Sequence, residues 1–379
     1  MIDPESHLAL RSRISERISA DKSVLHALRE EIRPLGSRVI RIQPRGTTAI
    51  SLVGTDGGNN SIQFDPFLVE LIRVVDSSNN EYCLDAVTPT TDVIELGRSQ
   101  FTESGTPSTP LGQLMADLNV SSLPELSHMI SSRSVTSPVS PSWVKVYREL
   151  VEWAILYSIV KTKQFGSDTL LVFDGLLRSK VFARELFRDY RRLLQSAIDA
   201  QASARRKIYI VGLAKHSKVL ARYRLAMALE NILTTNYPAY VEVPREIEEK
   251  AYVWSEFARG DDRELANGEV NKFVAGKMFL VKFGGGARDP IWPVDLLLSQ
   301  AENHQVILGY LLADAINGFP VPLYPRCLQK AHENAALVDF DFTILQDEIY
   351  AGVRTALGRD SHILEAFRLQ DGDPAAARY

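Results

Sequence analysis

The sequence predicts an α/β protein with a mixed sheet flanked by helices. Three observations carry that prediction. Short runs of β-branched and apolar residues, such as 169–173 and "KIYIVGLAK" at 207–215, alternate with longer segments of helical period. Strands separated by helices are the pattern of α/β architectures. In the early half, "FLVELIRVVDSSNNEYCLDAVTP" places two strand-like runs around an Asp-Ser-Ser-Asn-Asn turn, a hairpin signal that makes the sheet mixed rather than wholly parallel.

The elements follow in order. Residues 1–36 have helical period and end where Pro34 and Gly36 break it. Two β-rich runs come next; the second covers 48–54 and ends at Thr55-Asp56-Gly57-Gly58. After the hairpin, residues 98–142 are rich in Ser, Thr and Pro. Their "SSRSVTSPVSPS" reads as an exposed loop with few means of packing. A long helix starts near Trp143, with Val144, Tyr147, Val151, Ala154, Ile155 and Ser158 at helical spacing. Then come a strand at 169–173, a basic helix completing "DTLLVFDGLLRSKVFARELFRDYRRLL", the strand 207–215 and a helix over 217–233. "AYVEVP" and "KMFLVKF" read as strands, and a last helical pair spans about 293–318 and 325–336. The expected organisation is a helical extension (1–42), one main domain (43–357) with 98–142 as an insertion, and a fraying polar tail (358–379).

Composition excludes some classes. The 379 residues are 45% apolar and 24% charged, ordinary for a globular protein. No uncharged apolar run approaches the ~18 residues of a membrane span. The first residues lack the apolar centre of a signal peptide, so a cytoplasmic location is expected. Cys83 and Cys327 are far apart without metal spacing and read as reduced thiols. The net charge is −4, yet between Arg178 and Arg224 thirteen Lys/Arg face three Asp/Glu. Such asymmetry marks a basic face for a polyanion, or a solvated helix face followed by a basic loop.

Candidate chemistry sits at strand ends. "SLVGTDGG" and "LLVFDG" each place an Asp-Gly after a strand-like run, and ligands of open α/β sheets bind at the carboxyl ends of strands. If the two strands are parallel neighbours, Asp56 and Asp174 lie side by side, and a hard divalent cation relieves their repulsion. Each Asp-Gly alone is equally a turn signal. Asp65, Asp76, Asp85 and Asp92 read as turn or surface residues. A third carboxylate lies on the helix from Trp143. Glu149 and Glu152 differ in direction by about 60°; Glu152, next to Val151 on the apolar stripe, either points inward or pairs with Arg148 at the surface. Lys215 ends its strand as the two aspartates do. On the basic helix Phe182, Leu186 and Tyr190 face the core, while Arg184 and Arg188 lie off that face and suit phosphates. "KFGGGARD" has neither a Walker lysine nor a G-x-G-x-x-G pattern and reads as a flexible loop, and no G-x-x-x-x-G-K-[ST] occurs, so ATP-driven motion would need a separate protein.

Taken in order, "GTDGG", "LLVFDGLL", "IVGLAKHS" and "GFPVPLYPRCLQKAHENAAL" resemble the motifs of the NurA family of nucleases, over about residues 45–340. The last element is the most specific, since no generic fold rule produces it. The resemblance implies an RNase H-like core and a Mn²⁺- or Mg²⁺-dependent DNA nuclease, with 5′→3′ exonuclease and single-strand endonuclease action. It also implies a homodimer docking on a hexameric HerA-type ATPase during DNA end processing. Carried over by position, Asp56, Glu152 (Glu149 as fallback), Asp174 and His332 are the catalytic and metal-binding residues, and Lys215 matches the lysine of the Gly-x-x-Lys element. Arg178, Arg184 and Arg188 join Lys215 as expected DNA contacts. Gly58 stands where the family usually has Ser. That departure keeps a second reading in view, an adaptor that binds DNA ends without cutting; an RNase H-like enzyme acting on RNA or hybrids is a third.

Overall fold

The computed structural model describes residues 3–45, 50–64, 67–130, 142–259, 272–336 and 339–363. In chain order the elements are helices α1 (Pro4–Ala20) and α2 (Lys22–Ile32), strands β1 (Ile40–Arg41), β2 (Ile50–Phe64), β3 (Phe67–Asp76) and β4 (Glu81–Val87), and helices α3 (Val93–Arg98), α4 (Pro110–Asp117), α5 (Leu123–Leu126) and α6 (Ser142–Thr162). Then follow β5 (Asp168–Asp174), α7 (Leu186–Ser203), β6 (Ile208–Leu213), α8 (Lys218–Leu229), β7 (Ala239–Glu242), α9 (Arg245–Glu249), β8 (Gly276–Lys282) and β9 (Ile291–Leu297). Helices α10 (His304–Ala315), α11 (Arg326–Ala335) and α12 (Asp339–Leu357) complete the described chain. Among the described residues no helix is long and apolar enough to cross a membrane.

The chain divides into two compact units, each made of two chain segments: Met1–Gly54 with Ile159–Gln329, and Thr55–Ser158 with Lys330–Tyr379. The first unit holds a mixed six-stranded sheet in the order β1-β7-β8-β9-β6-β5. Its neighbours pair antiparallel except β5 and β6, which are parallel. On one side Val172, Val211, Phe279 and Val294 pack with Leu308 and Leu311 of α10. On the other, Val241, Met278 and Leu280 pack with Ile32 of α2 and Tyr223 of α8. Both faces are therefore covered, and β5 and β6 read as near-continuous apolar runs instead of alternating ones. Arg29 of α2 and Arg33 just after it both bond Glu230 beside α8, at 2.6 and 2.9 Å, and hold the pKa of its carboxyl down to about 2.

In the second unit the part of β2 from Thr55 onward, β3 and β4 form an antiparallel meander, with a bulge at Val74/Val75. The hairpin between β3 and β4 is tied by Asp76. This carboxylate is 0% exposed and accepts hydrogen bonds from Ser78 N, Asn80 N, Asn80 Nδ2 and the Tyr82 hydroxyl. Burial pushes its pKa up, but those four donors outweigh burial and hold it below the usual range. The segment following β4 is packed: Leu111, Leu114, Met115, Leu123 and Leu126 are buried. Asp92 and Thr109 cap α3 and α4, and Pro110 begins α4. Residues 131–141, with most of the Ser/Pro-rich stretch, lie outside the described residues, as does the tail from 364.

Several expectations change. The run at 48–54 does not stop before Asp56: β2 continues to Phe64, because 55–64 is laddered to β3 throughout, from Thr55↔Asp76 to Phe64↔Phe67. Residues 293–297, expected at the start of a helix, instead belong to β9, which is hydrogen-bonded to β8 on one side and β6 on the other; pairing on two sides overrides the helical period. Pro293 sits one residue outside the β6 ladder, which ends at Leu213↔Val294. The basic helix begins only at Leu186, and Phe182 is buried from the loop before it. "KFGGGARD" is an ordered turn: the buried Lys282 ammonium donates to Thr235 O and Gly286 O, while Asp289 accepts from Gly286 N at 2.6 Å.

Candidate functional site

Leu170–Phe173 are buried on both faces of the sheet, and Asp174 is the first residue to emerge, its side chain 20% exposed. The chain then leaves through Gly175, whose φ of +139° suits glycine. The departing loop presses on the neighbouring strand. A Cβ on Gly212 would lie 2.5 Å from Gly175 O and 2.8 Å from Leu177 N. The glycine of "IVGLAK" is thus explained by close approach of the loop that begins after Asp174.

Below this loop lies a buried ionic cluster. Asp295 of β9, 0% exposed, accepts from Leu177 N at 3.1 Å and from Arg178 Nε and NH2 at 2.9 and 2.8 Å. Arg178 NH1 donates to Glu248 of α9, also 0% exposed, and to Tyr252 and Phe257 O. Burial opposes the Arg178 charge, but Asp295 and Glu248 outweigh it and raise its pKa. Burial raises the Glu248 pKa despite the pull of Arg178. Room for Asp295 comes from Gly276, where a Cβ would lie 2.5 Å from the aspartate Cβ. Arg178, expected among the DNA contacts, is therefore turned into the protein and spent on two carboxylates.

Around Asp174 the first unit gathers two further groups. Lys215, two residues past the end of β6, brings Nζ to 3.9 Å from Asp174 Oδ2 and is 49% exposed. The Tyr324 hydroxyl donates to Asp174 Oδ1 at 3.4 Å, and its ring lies 5.9 Å below the lysine ammonium. Tyr324 is held from several sides. Its ring packs on Trp292 at 4.9 Å, and Trp292 Nε1 donates to Leu323 O at 2.7 Å. The Gln329 side chain accepts from Val321 N and donates to Val321 O and Tyr324 O, at 2.7 to 2.9 Å. Gly318 has no room for a Cβ, which would lie 2.2 Å from Tyr324 O. "GFPVPLYPRCLQ" is thus a stapled loop whose last aromatic reaches Asp174. Tyr324 was not singled out from sequence, although it lies inside the most specific motif.

The other expected residues are placed as follows. Arg184 is exposed with φ +52°; Arg188 bonds Glu185 at 3.2 Å, with its Nε buried and without a hydrogen-bond partner. Asp56 lies within β2 opposite Val75, its side chain outside the described residues. Glu152 and Glu149 are half-buried on α6, and Glu152 pairs with Arg148 at 3.5 Å while only 14% exposed. His332 is exposed in the last turn of α11. A carboxylate that sequence reasoning missed is Glu70 of β3: it is 4% exposed, its Oε2 has no hydrogen-bond partner, and burial raises its pKa against Lys145 and Arg148. Its signal was a charge inside "FLVELIRVV", on the same strand face as Ile72 and Val74.

Asp174 offers the hard oxygen donors that Mg²⁺ and Mn²⁺ take. Among the described residues no group of three or more His, Cys, Asp or Glu is arranged to hold a metal ion; Asp56 lies outside that set.

No protein-family model matches the sequence, and no curated protein matches it. Among solved structures the chain is similar to the NurA nuclease from Sulfolobus solfataricus, at 11% identity and a TM-score of 0.48, covering 95% of this chain and 99% of that one. It is similar to a second NurA structure at 14% identity and a TM-score of 0.39 (93% and 99% covered), and to NurA bound to dAMP and manganese at 10% identity and 0.40 (86% and 94%).

Proposed function

We propose that the protein is a divalent-metal-dependent DNA nuclease of the NurA type. The observation that carries the reading is the meeting of Asp174, Lys215 and Tyr324 at the carboxyl end of β5, in a chain whose ordered motifs resemble that family. Asp174 would hold Mn²⁺ or Mg²⁺, with Asp56, Glu152 and His332 as the further ligands the resemblance implies. Bound there, the ion supplies charge neutralisation at the scissile phosphate and lowers the pKa of an attacking water. The chain's own groups do the rest. Lys215 sets a cation beside the carboxylate, where a phosphate oxygen would otherwise meet only negative charge. Tyr324 fixes the orientation of the Asp174 carboxyl. The exposed Arg184 and Lys218 suit the DNA backbone. The finer reading is 5′→3′ exonuclease and single-strand endonuclease action by a homodimer that docks on a HerA-type hexameric ATPase.

Linear and single-stranded DNA, incubated with Mn²⁺ and an EDTA control, test this. Wild-type protein should degrade both, and Asp174→Asn should cut at least about a hundredfold more slowly while binding DNA in EDTA as wild type does. Cleavage by Asp174→Asn at the wild-type rate removes the proposal. The adaptor reading, favoured by Gly58, predicts a shifted but uncut substrate with the wild-type protein.

A further inference from the structure

A cavity of about 360 Å³ opens beside β4 in the second unit. It is walled by residues 82–85 of β4, by the segment that leads from α3 into α4, and by the face of α6 that carries Tyr147, Val151 and Ile155. Leu111, Val151 and Ile155 are buried and make its apolar wall. One charged group lines it, the carboxylate of Asp85, and no Lys, Arg or His does. Asp85 reads from sequence as a turn or surface residue, yet it is half-buried within β4. A run of neutral hydrogen bonds fixes it. Thr109 donates to Gln100 Oε1 at 2.6 Å, Gln100 Nε2 donates to the Tyr147 hydroxyl at 3.4 Å, and that hydroxyl donates to Asp85 Oδ2 at 2.9 Å. Gln100 and Tyr147 are 5% and 1% exposed, so the run is built into the wall. Asp85 Oδ1 accepts from Ala86 N at 2.8 Å. Among the described residues Asp85 has no ion-pair partner, whereas Glu81 on the same strand is answered by Arg73 at 2.8 Å. The negative charge is felt nearby: burial, then Asp85 and Glu81, push the Cys83 thiol up to about 12.

We propose that this cavity binds an organic cation, an ammonium or guanidinium head that pairs with Asp85 on an aliphatic stem that packs along Leu111, Val151 and Ile155. The walls select this class. An anion would meet Asp85 with no cation beside it. A metal ion would find a single carboxylate, since among the described residues no three His, Cys, Asp or Glu are grouped to hold one. A neutral apolar ligand would cover the carboxylate without answering its charge, which is costly. A cation with an apolar stem satisfies both walls, and the volume is that of a small-ligand site. Such a cation has two sources, a free alkyl amine or guanidine, or the Lys or Arg side chain of an extended segment laid along β4. The second is open because β4 ends its sheet, bonded to β3 alone among the described residues, and Leu84 at the cavity is 57% exposed.

Full-length protein titrated with n-butylguanidinium and with its neutral isostere n-butylurea, followed by ligand-observed NMR, tests this. Wild type should bind the guanidinium at least about tenfold more tightly than the urea. Asp85→Asn keeps the shape and still accepts from Tyr147, and it should bind the guanidinium about 10- to 100-fold more weakly than wild type, the worth of a charge-assisted hydrogen bond. Equal or undetectable binding of the two compounds by wild type at about 10 mM overturns the proposal, as does unchanged affinity in Asp85→Asn. A second arm needs no variant and stands if Asp85→Asn fails to fold. Cys83 lines the cavity and the other cysteine, Cys327, is buried, so benzyl methanethiosulfonate placed on Cys83 fills the space. The modified protein should lose guanidinium binding; retained affinity puts the cation elsewhere and overturns the proposal. A blocked tripeptide, acetyl-Val-Arg-Val-amide, then identifies the source. Tighter binding than n-butylguanidinium assigns the site to an extended segment on β4, and equal or weaker binding assigns it to a free cation; either keeps Asp85 as the cation's partner.

Discussion

Replacing Arg178 by alanine would strip the buried cluster beneath the loop after Asp174 of the guanidinium that bonds both Asp295 and Glu248. Arg178 makes two parallel bonds to Asp295, at 2.8 and 2.9 Å, and a third to Glu248. Its side chain is 10% exposed and both carboxylates are 0% exposed. Removing one partner of such a pair leaves uncompensated buried charge and costs about 3–5 kcal/mol, a large part of the roughly 5–15 kcal/mol that stabilises a domain. The pH dependence identifies the cause. Without Arg178, burial raises the folded-state pKa of Glu248 further above its unfolded value, the direction it already shows in the intact protein. A carboxyl raised in this way contributes stability fully present below the unfolded pKa and lost as pH rises through the folded pKa. Urea unfolding of Arg178→Ala and wild type at pH 5 and pH 8 should therefore show the larger loss at pH 8. Lysine at 178 keeps the charge but not the bidentate fork and should fall between the two. A loss below about 1 kcal/mol at both pH values, or the same loss at both, refutes the argument that the cluster is a charge-compensated core.

Two more predictions follow from the same geometry. Gly212→Ala places a Cβ 2.5 Å from a backbone carbonyl that cannot yield without moving the loop after Asp174. It should destabilise by about 1–3 kcal/mol and lower nuclease activity, whereas Gly36→Ala, with nothing within 4 Å of its Cβ, should be near neutral in thermal melting. Asp76→Asn weakens a carboxylate accepting four hydrogen bonds and should cost about 2 kcal/mol near neutral pH. Because the folded pKa of Asp76 is lowered, the stability it contributes is present above its unfolded value and lost as pH falls through the folded one. The difference between Asp76→Asn and wild type in urea midpoints should therefore shrink as acid is added.

Where local chemistry and tertiary packing agree, the sequence reading and the structure coincide. The hairpin around Asp76, the long helix from Trp143 and the strands at β5 and β6 are of that kind, each with a turn residue or an uninterrupted apolar period. It went astray where a partner strand decides. Ile291–Leu297 carries a period that suits either structure, and only flanking strands make it β9. The reading of the site divides in the same way. Asp174 and Lys215 were legible because an ionisable residue ending an apolar run is unusual, and the fold brings them within 3.9 Å. Arg178 was misread because a local count of positive charge is blind to Asp295 and Glu248, 117 and 70 residues away. Tyr324 was overlooked because nothing local distinguishes a tyrosine that reaches a carboxylate 150 residues earlier in the chain from one that fills a core.

The opening segment of the chain is no appendage. Ile32 and Leu35 are 0% exposed and Ile42 is 1% exposed, all within the cores of the first unit, and β1 closes one margin of its sheet by pairing with β7. A shortened version starting near residue 43 would leave β7 with a bare row of backbone donors and acceptors, the kind of margin on which other chains add strands and precipitate. Trimming for crystallisation or fusion is better confined to the stretch ahead of α2, where Leu8, Ile14 and Ile18 of α1 already face solvent.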